Sequence, residues 1–229
     1  MKILALVGSP SRLPAIDHLR SCGFEIKAIS PSEVRSRELL EILNRERPDV
    51  VISIGWQHLF SDEILNGPWL LLNSHPTVLP AYRGPNPWAN MIENDERAAG
   101  VTVHKIDSGM DSGPILHQEI VPLTKFDTYL SLRKKILELE PGVIEHALTK
   151  LRNGNASFVT QDATRASTYP RRKPGDSEID PSLPLIDLFD RIRACDPDRF
   201  PAYFFVEGQK VCIRMWRPDR PEGEPEGSL

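Results

Sequence analysis

The sequence predicts an α/β protein: a mostly parallel sheet flanked by helices, followed by a small β-rich C-terminal unit. Two observations carry that expectation. Short apolar runs alternate with helix-periodic segments through the first two-thirds of the chain, an order that builds parallel sheets through right-handed crossovers. The composition also demands a core, since 40% of the 229 residues are hydrophobic, only 14 are glycine and the net charge is −4. The 21 prolines, about 9% against a usual 5% or so, therefore punctuate a fold and do not mark disorder. The length suits one α/β domain of roughly 150 to 170 residues with an appendage. We assign 1–155 to the main domain, 156–217 to the β-rich unit and 218–229 to a disordered tail.

Lys2–Val7 (KILALV) is nearly all apolar and ends at Gly8, as a buried parallel strand and its turn would. A helix over Pro14–Cys22 turns Ile16 and Leu19 inward, and Gly23 is placed to stop it. Phe24–Ile29 alternates like a strand, Ser36–Arg45 is helix-periodic through Leu39, Leu40 and Leu43, and Val50–Ile54 is again an apolar strand. Leu70–Leu72 forms the next strand and leads into Asn73-Ser74-His75-Pro76, polar groups just past a buried strand end. Sites in open α/β sheets lie at such ends. Ala98–Ile106 and Ile115–Val121 are two further strands, joined by the loop 107–113. Asp127 or Thr128 can cap a long helix, with a break or kink expected at Pro141-Gly142. Beyond Asn153-Gly154 the only strand-like runs are Ala202–Val206 and Lys210–Trp216.

Several function classes are disfavoured. An acidic balance creates no global field for nucleic acid or anionic lipid. No apolar stretch approaches the roughly 18 residues of a membrane span, and the apolar start is too short for a signal peptide, so a cytoplasmic protein is expected. Cys22, Cys195 and Cys212 are widely spaced and fit no disulfide frame or zinc motif, so no metal is expected. The turn Gly8-Ser9-Pro10-Ser11-Arg12 could expose a few backbone amides to a phosphate, as many tight turns could.

Chemistry concentrates around Asn73, His75 and Asp111. Residues two apart in an extended segment face the same side, so Asn73 and His75 can act on one partially negative oxygen. The proline-dense stretch after His75 would hold them with little drift. Asp111, in a glycine-flanked loop, could raise the His75 pKa, orient the ring or take a proton. Taken singly, each residue also has a plain structural reading: a turn-capping Asn, a packed His, a turn-forming Asp.

The segments NSHPTVLPAYRGPNPWAN and GVTVHKIDSGMDSGPILHQEIVPL together resemble the folate-dependent formyltransferases. Their shared signature is an Asn-x-His pair, usually followed by Pro-Ser and Leu-Leu-Pro, with an Asp further on. His75 and His104 precede Asp111 by 36 and 7 residues, in agreement with the family pattern; Thr77 replaces the usual serine. The resemblance covers about residues 1 to 150 and is most specific over 70 to 123. It implies a Rossmann-like formyltransferase domain that uses 10-formyltetrahydrofolate as cosubstrate and no metal. It also implies that Asn73 and a protonated His75 stabilise the developing oxyanion while Asp111 relays the proton. Gln57, Leu59, Asp107, Ser108 and Met110 then fall at the pterin-binding positions, and His104 is a supporting residue. Without the resemblance, Trp56–Phe60 reads as a plain connection packed on the core.

The acceptor is read from subfamily features. Arg83-Gly84-Pro85-Asn86-Pro87-Trp88 is similar to a sequence common in nucleotide-sugar N-formyltransferases. The expected acceptor is thus the amine of a dTDP- or GDP-linked deoxyamino sugar, with Arg83, Asn86, Trp88, Tyr169 and Lys173 bordering it. Methionyl-tRNA enzymes add a basic C-terminal barrel, and glycinamide ribonucleotide enzymes a glycine-rich phosphate loop; neither is expected here. The same trio would also serve a formyltetrahydrofolate hydrolase, with water as acceptor, and the same domain could act as a non-catalytic folate-binding protein. The expected partners are small molecules, without nucleic acid or membrane, and a homodimer is compatible with the sequence.

Overall fold

A computed structural model describes residues 1–30 and 36–218. The expected tail lies, from residue 219 onward, outside the described residues. The chain divides into two compact units that interleave along the sequence. One comprises Met1–Arg83, Gly100–Ile120 and Leu137–Thr168; the other comprises Gly84–Ala99, Val121–Ile136 and Tyr169–Leu229.

The elements run β1 (Ile3–Val7), α1 (Leu13–Ser21), β2 (Ile26–Ile29), α2 (Ser36–Glu46), β3 (Val50–Ile54), α3 (Asp62–Leu65), β4 (Leu70–His75), α4 (Trp88–Glu93), β5 (Ala98–Lys105), β6 (Ile115–Pro122) and α5 (Tyr129–Arg152). Then follow α6 (Leu185–Arg193), β7 (Ala202–Val206) and β8 (Gln209–Ile213). Six strands form one sheet in the order β2-β1-β3-β4-β5-β6. β1 is parallel to β2 and β3, and β3 to β4, whereas β4 and β5 are antiparallel. This is the mostly parallel sheet that the alternating pattern predicts, and the Rossmann-like domain that the resemblance implies. Every residue of β1 and β3 is buried, which is why their sequences are continuous in apolar residues and do not alternate. Each such Leu, Ile or Val contributes about 1.5–3 kcal/mol by leaving water.

Two expectations change. Asn73 and His75 lie on β4 itself, with Asn73 opposite His104 and His75 opposite Thr102 on β5. The ladder to β5 extends the strand beyond its apolar run. Of the break or kink expected at Pro141-Gly142, no break occurs, since α5 runs unbroken from 129 to 152. Proline costs that helix one hydrogen bond, yet Ile136, Glu140, Val143, Ile144, Ala147 and Leu148 are all buried and hold the flanking turns.

In the second unit, β7 and β8 pair as an antiparallel hairpin. Glu207 and Gly208, at φ +48° and +77°, make its turn, matching strand twist as paired left-handed residues do. Helix α6 is an element that the expectations above do not include. Its Leu188 and Ile192, four residues apart, pack with Ile179, Cys195 and Ala202. Among the described residues, no helix is long and apolar enough to cross a membrane.

Candidate active site

β4 carries the site because a buried strand fixes both position and direction of its side chains. Asn73 and His75 point to one face, and the β5–β6 loop lays Asp111 against both. Asn73 Nδ2 donates to Asp111 Oδ1 at 3.1 Å and lies 3.2 Å from His104 Nε2. His104 Nδ1 lies 2.9 Å from the Lys105 carbonyl, which only accepts, so the proton sits on Nδ1 and Nε2 receives the Asn73 hydrogen. Both amide hydrogens of Asn73 are thereby engaged. His104 is 2% exposed and supports Asn73 from beneath.

His75 is 5% exposed. Its Nε2 lies 2.9 Å from the Tyr82 carbonyl, and its Nδ1 lies 3.4 Å from Asp111 Oδ2. Burial lowers the pKa of the ring from its ordinary 6.5, outweighing the Asp111 charge and the Tyr82 contact that raise it. Burial thus favours the neutral ring, against the protonated state that the resemblance implies. Since the Tyr82 carbonyl can only accept, the single proton sits on Nε2, and Nδ1 presents its lone pair toward Asp111.

The proline-dense stretch builds the support for this ring. Thr77 is fully buried, and its hydroxyl donates to Ala81 O at 3.0 Å. Thr102 donates to Thr77 O at 2.7 Å, and Gln118 to Leu79 O at 3.0 Å. The turn is stapled from three sides and delivers Tyr82 O to His75. Asp111 is fixed from behind by Gln161, whose Nε2 donates to Asp111 O at 2.9 Å and to Gly113 O at 2.7 Å. Arg83 Nη2 in turn donates to Gln161 Oε1 at 2.8 Å. A Cβ at Gly113 would fall 1.9 Å from Lys105 O, so only glycine lets the hairpin close beneath the aspartate. Sequence reasoning missed Gln161 because a single Gln in a polar stretch carries no signal.

Behind β4, Ser74 Oγ donates to Glu140 Oε1 at 2.7 Å, and Arg12 Nη1 pairs with Glu140 Oε2. Glu140 is 1% exposed. The Pro10–Arg12 turn thus sends its cation inward, and a Cβ at Gly8 would meet Gly55 O at 1.6 Å. The turn after β1 is thus braced internally through Arg12.

The residues expected to hold the pterin lie on two loops of the first unit. Gln57 is exposed and Leu59 is 93% exposed, while Trp56, Phe60 and Ile106 pack on the core cluster containing Leu71. Trp56 Nε1 is buried without a hydrogen-bond partner. On the other loop, Asp107 accepts from Gly109 N and from Ser112 Oγ, Ser108 is exposed, and Met110 is 52% exposed. In the second unit, Asn86 is exposed at φ +54° and Lys173 is exposed. Trp88 is buried edge-on against Tyr129, and Tyr169 Oη accepts from Asn94 at 2.7 Å. Arg172, from the cationic run 171–173, is paired with Glu93 at 2.6 Å.

An α/β sheet whose central strand sets an amide and an imidazole against a loop carboxylate is equipped for proton-coupled group transfer without a covalent nucleophile. The chain belongs to the formyl transferase family, which residues 16–148 match. It is 35% identical over 173 residues to a methionyl-tRNA formyltransferase of Thermotoga maritima, covering 75% of this chain and 55% of that protein. The chain therefore spans little more than half the length of that curated relative. The fold is similar to a sugar N-formyltransferase of Shewanella, with a TM-score of 0.78, 21% identity, and coverage of 94% of this chain and 97% of that one. It is also similar to HypX of Aquifex aeolicus in complex with tetrahydrofolic acid, with a TM-score of 0.80, 20% identity, and coverage of 93% and 37%.

Proposed function

We propose that this chain transfers the formyl group of 10-formyltetrahydrofolate to the amine of a nucleotide-linked deoxyamino sugar. The observation that carries the transfer reaction is the convergence of Asn73, His75 and Asp111 within hydrogen-bond or ion-pair range on one face of β4. The folate, when bound, supplies the formyl carbon and the nitrogen that leaves it. The protein residues fit such a group: an unsatisfied Trp56 donor and the solvent-facing Leu59 and Met110 give a flat, polar-edged ring both apolar surface and a hydrogen-bond partner. Asp111 takes the proton of the attacking amine. His75 Nδ1 receives it in turn, and the imidazolium so formed is stabilised by the Asp111 carboxylate before the proton passes to the leaving nitrogen. Asn73 exchanges one of its two resting contacts for the oxygen that gains charge, a contribution of about 3–4 kcal/mol in comparable sites.

The sugar acceptor is supported by Arg83-Gly84-Pro85-Asn86-Pro87-Trp88 and by the net charge of −4, which disfavours a polyanionic RNA. A methionyl-tRNA acceptor is the second reading, favoured by the identity to the Thermotoga protein. The test is a panel of dTDP- and GDP-linked amino sugars, methionyl-tRNA and glycinamide ribonucleotide, assayed with 10-formyltetrahydrofolate. Turnover of one of the sugars is expected. Turnover of methionyl-tRNA or of the ribonucleotide alone would replace the acceptor, and rapid cofactor hydrolysis without any amine would make water the acceptor.

A further inference from the structure

The end of α1 fixes two donor atoms on one side of the helix. Cys22 N donates to His18 O at 3.1 Å, and Gly23, at φ +78°, lets Phe24 N reach Leu19 O at 3.1 Å. Glycine takes that left-handed turn without strain, so the helix stops with Cys22 one turn beyond His18. A third donor comes from α5, more than a hundred residues away. Val143, Ile144, Ala147 and Leu148 are buried there, leaving Glu145 at the margin of the packed face with its side chain 31% exposed. Glu145 Oε2 lies 2.8 Å from His18 Nε2, and Cys22 Sγ lies 3.7 Å from the same nitrogen. All three ligand atoms fall within 4.8 Å of one another.

We propose that His18, Cys22 and Glu145 bind one zinc-class divalent cation, with water completing the shell, as a clasp between α1 and α5. Thiolate, imidazole and carboxylate together suit a borderline-soft tetrahedral ion. Zn–S and Zn–N bonds of about 2.3 and 2.0 Å place sulfur and nitrogen about 3.5 Å apart at a tetrahedral angle, close to the spacing found. The His18–Glu145 pair need open only by about 0.5 Å to reach the corresponding N···O separation. On binding, the Cys22 thiol releases its proton to solvent and His18 coordinates through the Nε2 lone pair, so affinity rises with pH. Among the described residues, no donor holds the other ring nitrogen of His18, and its side chain is 39% exposed, which leaves a path for the ion.

The neighbouring cluster of His117, Glu119 and His146 differs on this point. Lys150 Nζ lies 3.0 Å from His117 Nδ1. An ammonium can only donate, so His117 carries its proton on Nε2 and spends it on Glu119 Oε1 at 2.9 Å. No lone pair of that ring faces the cluster.

The clasp is independent of the transfer reaction proposed above, and so is its test. The full chain is stripped with chelator, titrated with Co²⁺ and then challenged with Zn²⁺. The expected result is a thiolate-to-cobalt charge-transfer band that saturates at one equivalent, is displaced by Zn²⁺, and weakens in affinity about tenfold per pH unit lowered. Cys22→Ser should abolish the band although Cys195 and Cys212 remain. His18→Gln keeps the thiol, and should weaken cobalt binding tenfold or more while circular dichroism stays native. A band that survives Cys22→Ser, a full-affinity site in a folded His18→Gln, or no band in the wild type overturns the proposal.

Discussion

At φ +50°, Asp111 adopts a left-handed backbone that Asp and Asn tolerate better than most residues. Asp111→Asn therefore keeps the loop and removes only the proton acceptor. We expect a loss of about 10²–10⁴ in the transfer rate, with folate binding retained in a fluorescence titration. The buried His75 makes a different prediction. Because its pKa is lowered below 6.5, the unfolded chain binds more protons than the folded one between that lowered value and about 6.5. The stability this contributes is complete above the unfolded pKa and declines as pH falls through the window. His75 faces Asp111 and His104, so comparing the acid dependence of urea midpoints for wild type and His75→Gln isolates the ring. The wild type should lose more stability between about pH 6.5 and pH 5 than the variant does.

Two elements are held to the site by buried polar groups. Arg12 and Glu140 tie the turn after β1 to α5, and Glu140 also holds Ser74, between Asn73 and His75 on β4. Arg12→Met strands a buried carboxylate and should cost about 3–5 kcal/mol by urea unfolding. The double variant Arg12→Met/Glu140→Leu should recover most of that, because the pair is then replaced by apolar packing. Gln161 holds the loop of Asp111 by two donated hydrogen bonds. Gln161→Leu should lower kcat about tenfold with little change in KM, the signature of a misplaced reacting group. At this scale the sequence was legible where burial was two-sided. The apolar runs of β1 and β3 marked their strands, and Gly23 marked the end of α1. It was not legible where contacts came from afar, as in the extension of β4 by β5.

For the whole molecule, the acidic balance of 28 basic against 32 acidic residues makes a measurable claim. A protein that meets six to ten phosphates loses about 10³–10⁵ in affinity between 50 and 200 mM salt. The acceptor proposed here presents only a diphosphate, so its KM should change by less than about tenfold over that range. The sequence by itself determined the α/β order and the candidate trio Asn73, His75 and Asp111, because alternating hydrophobicity and local motifs are short-range properties. The tertiary structure decided the burial of His75, the contacts that aim Asp111, the inward turn of Arg12, and the meeting of His18 and Cys22 with Glu145. Each of these depends on burial or on atoms brought within a few ångströms by residues distant in the chain, and neither quantity is written in local order.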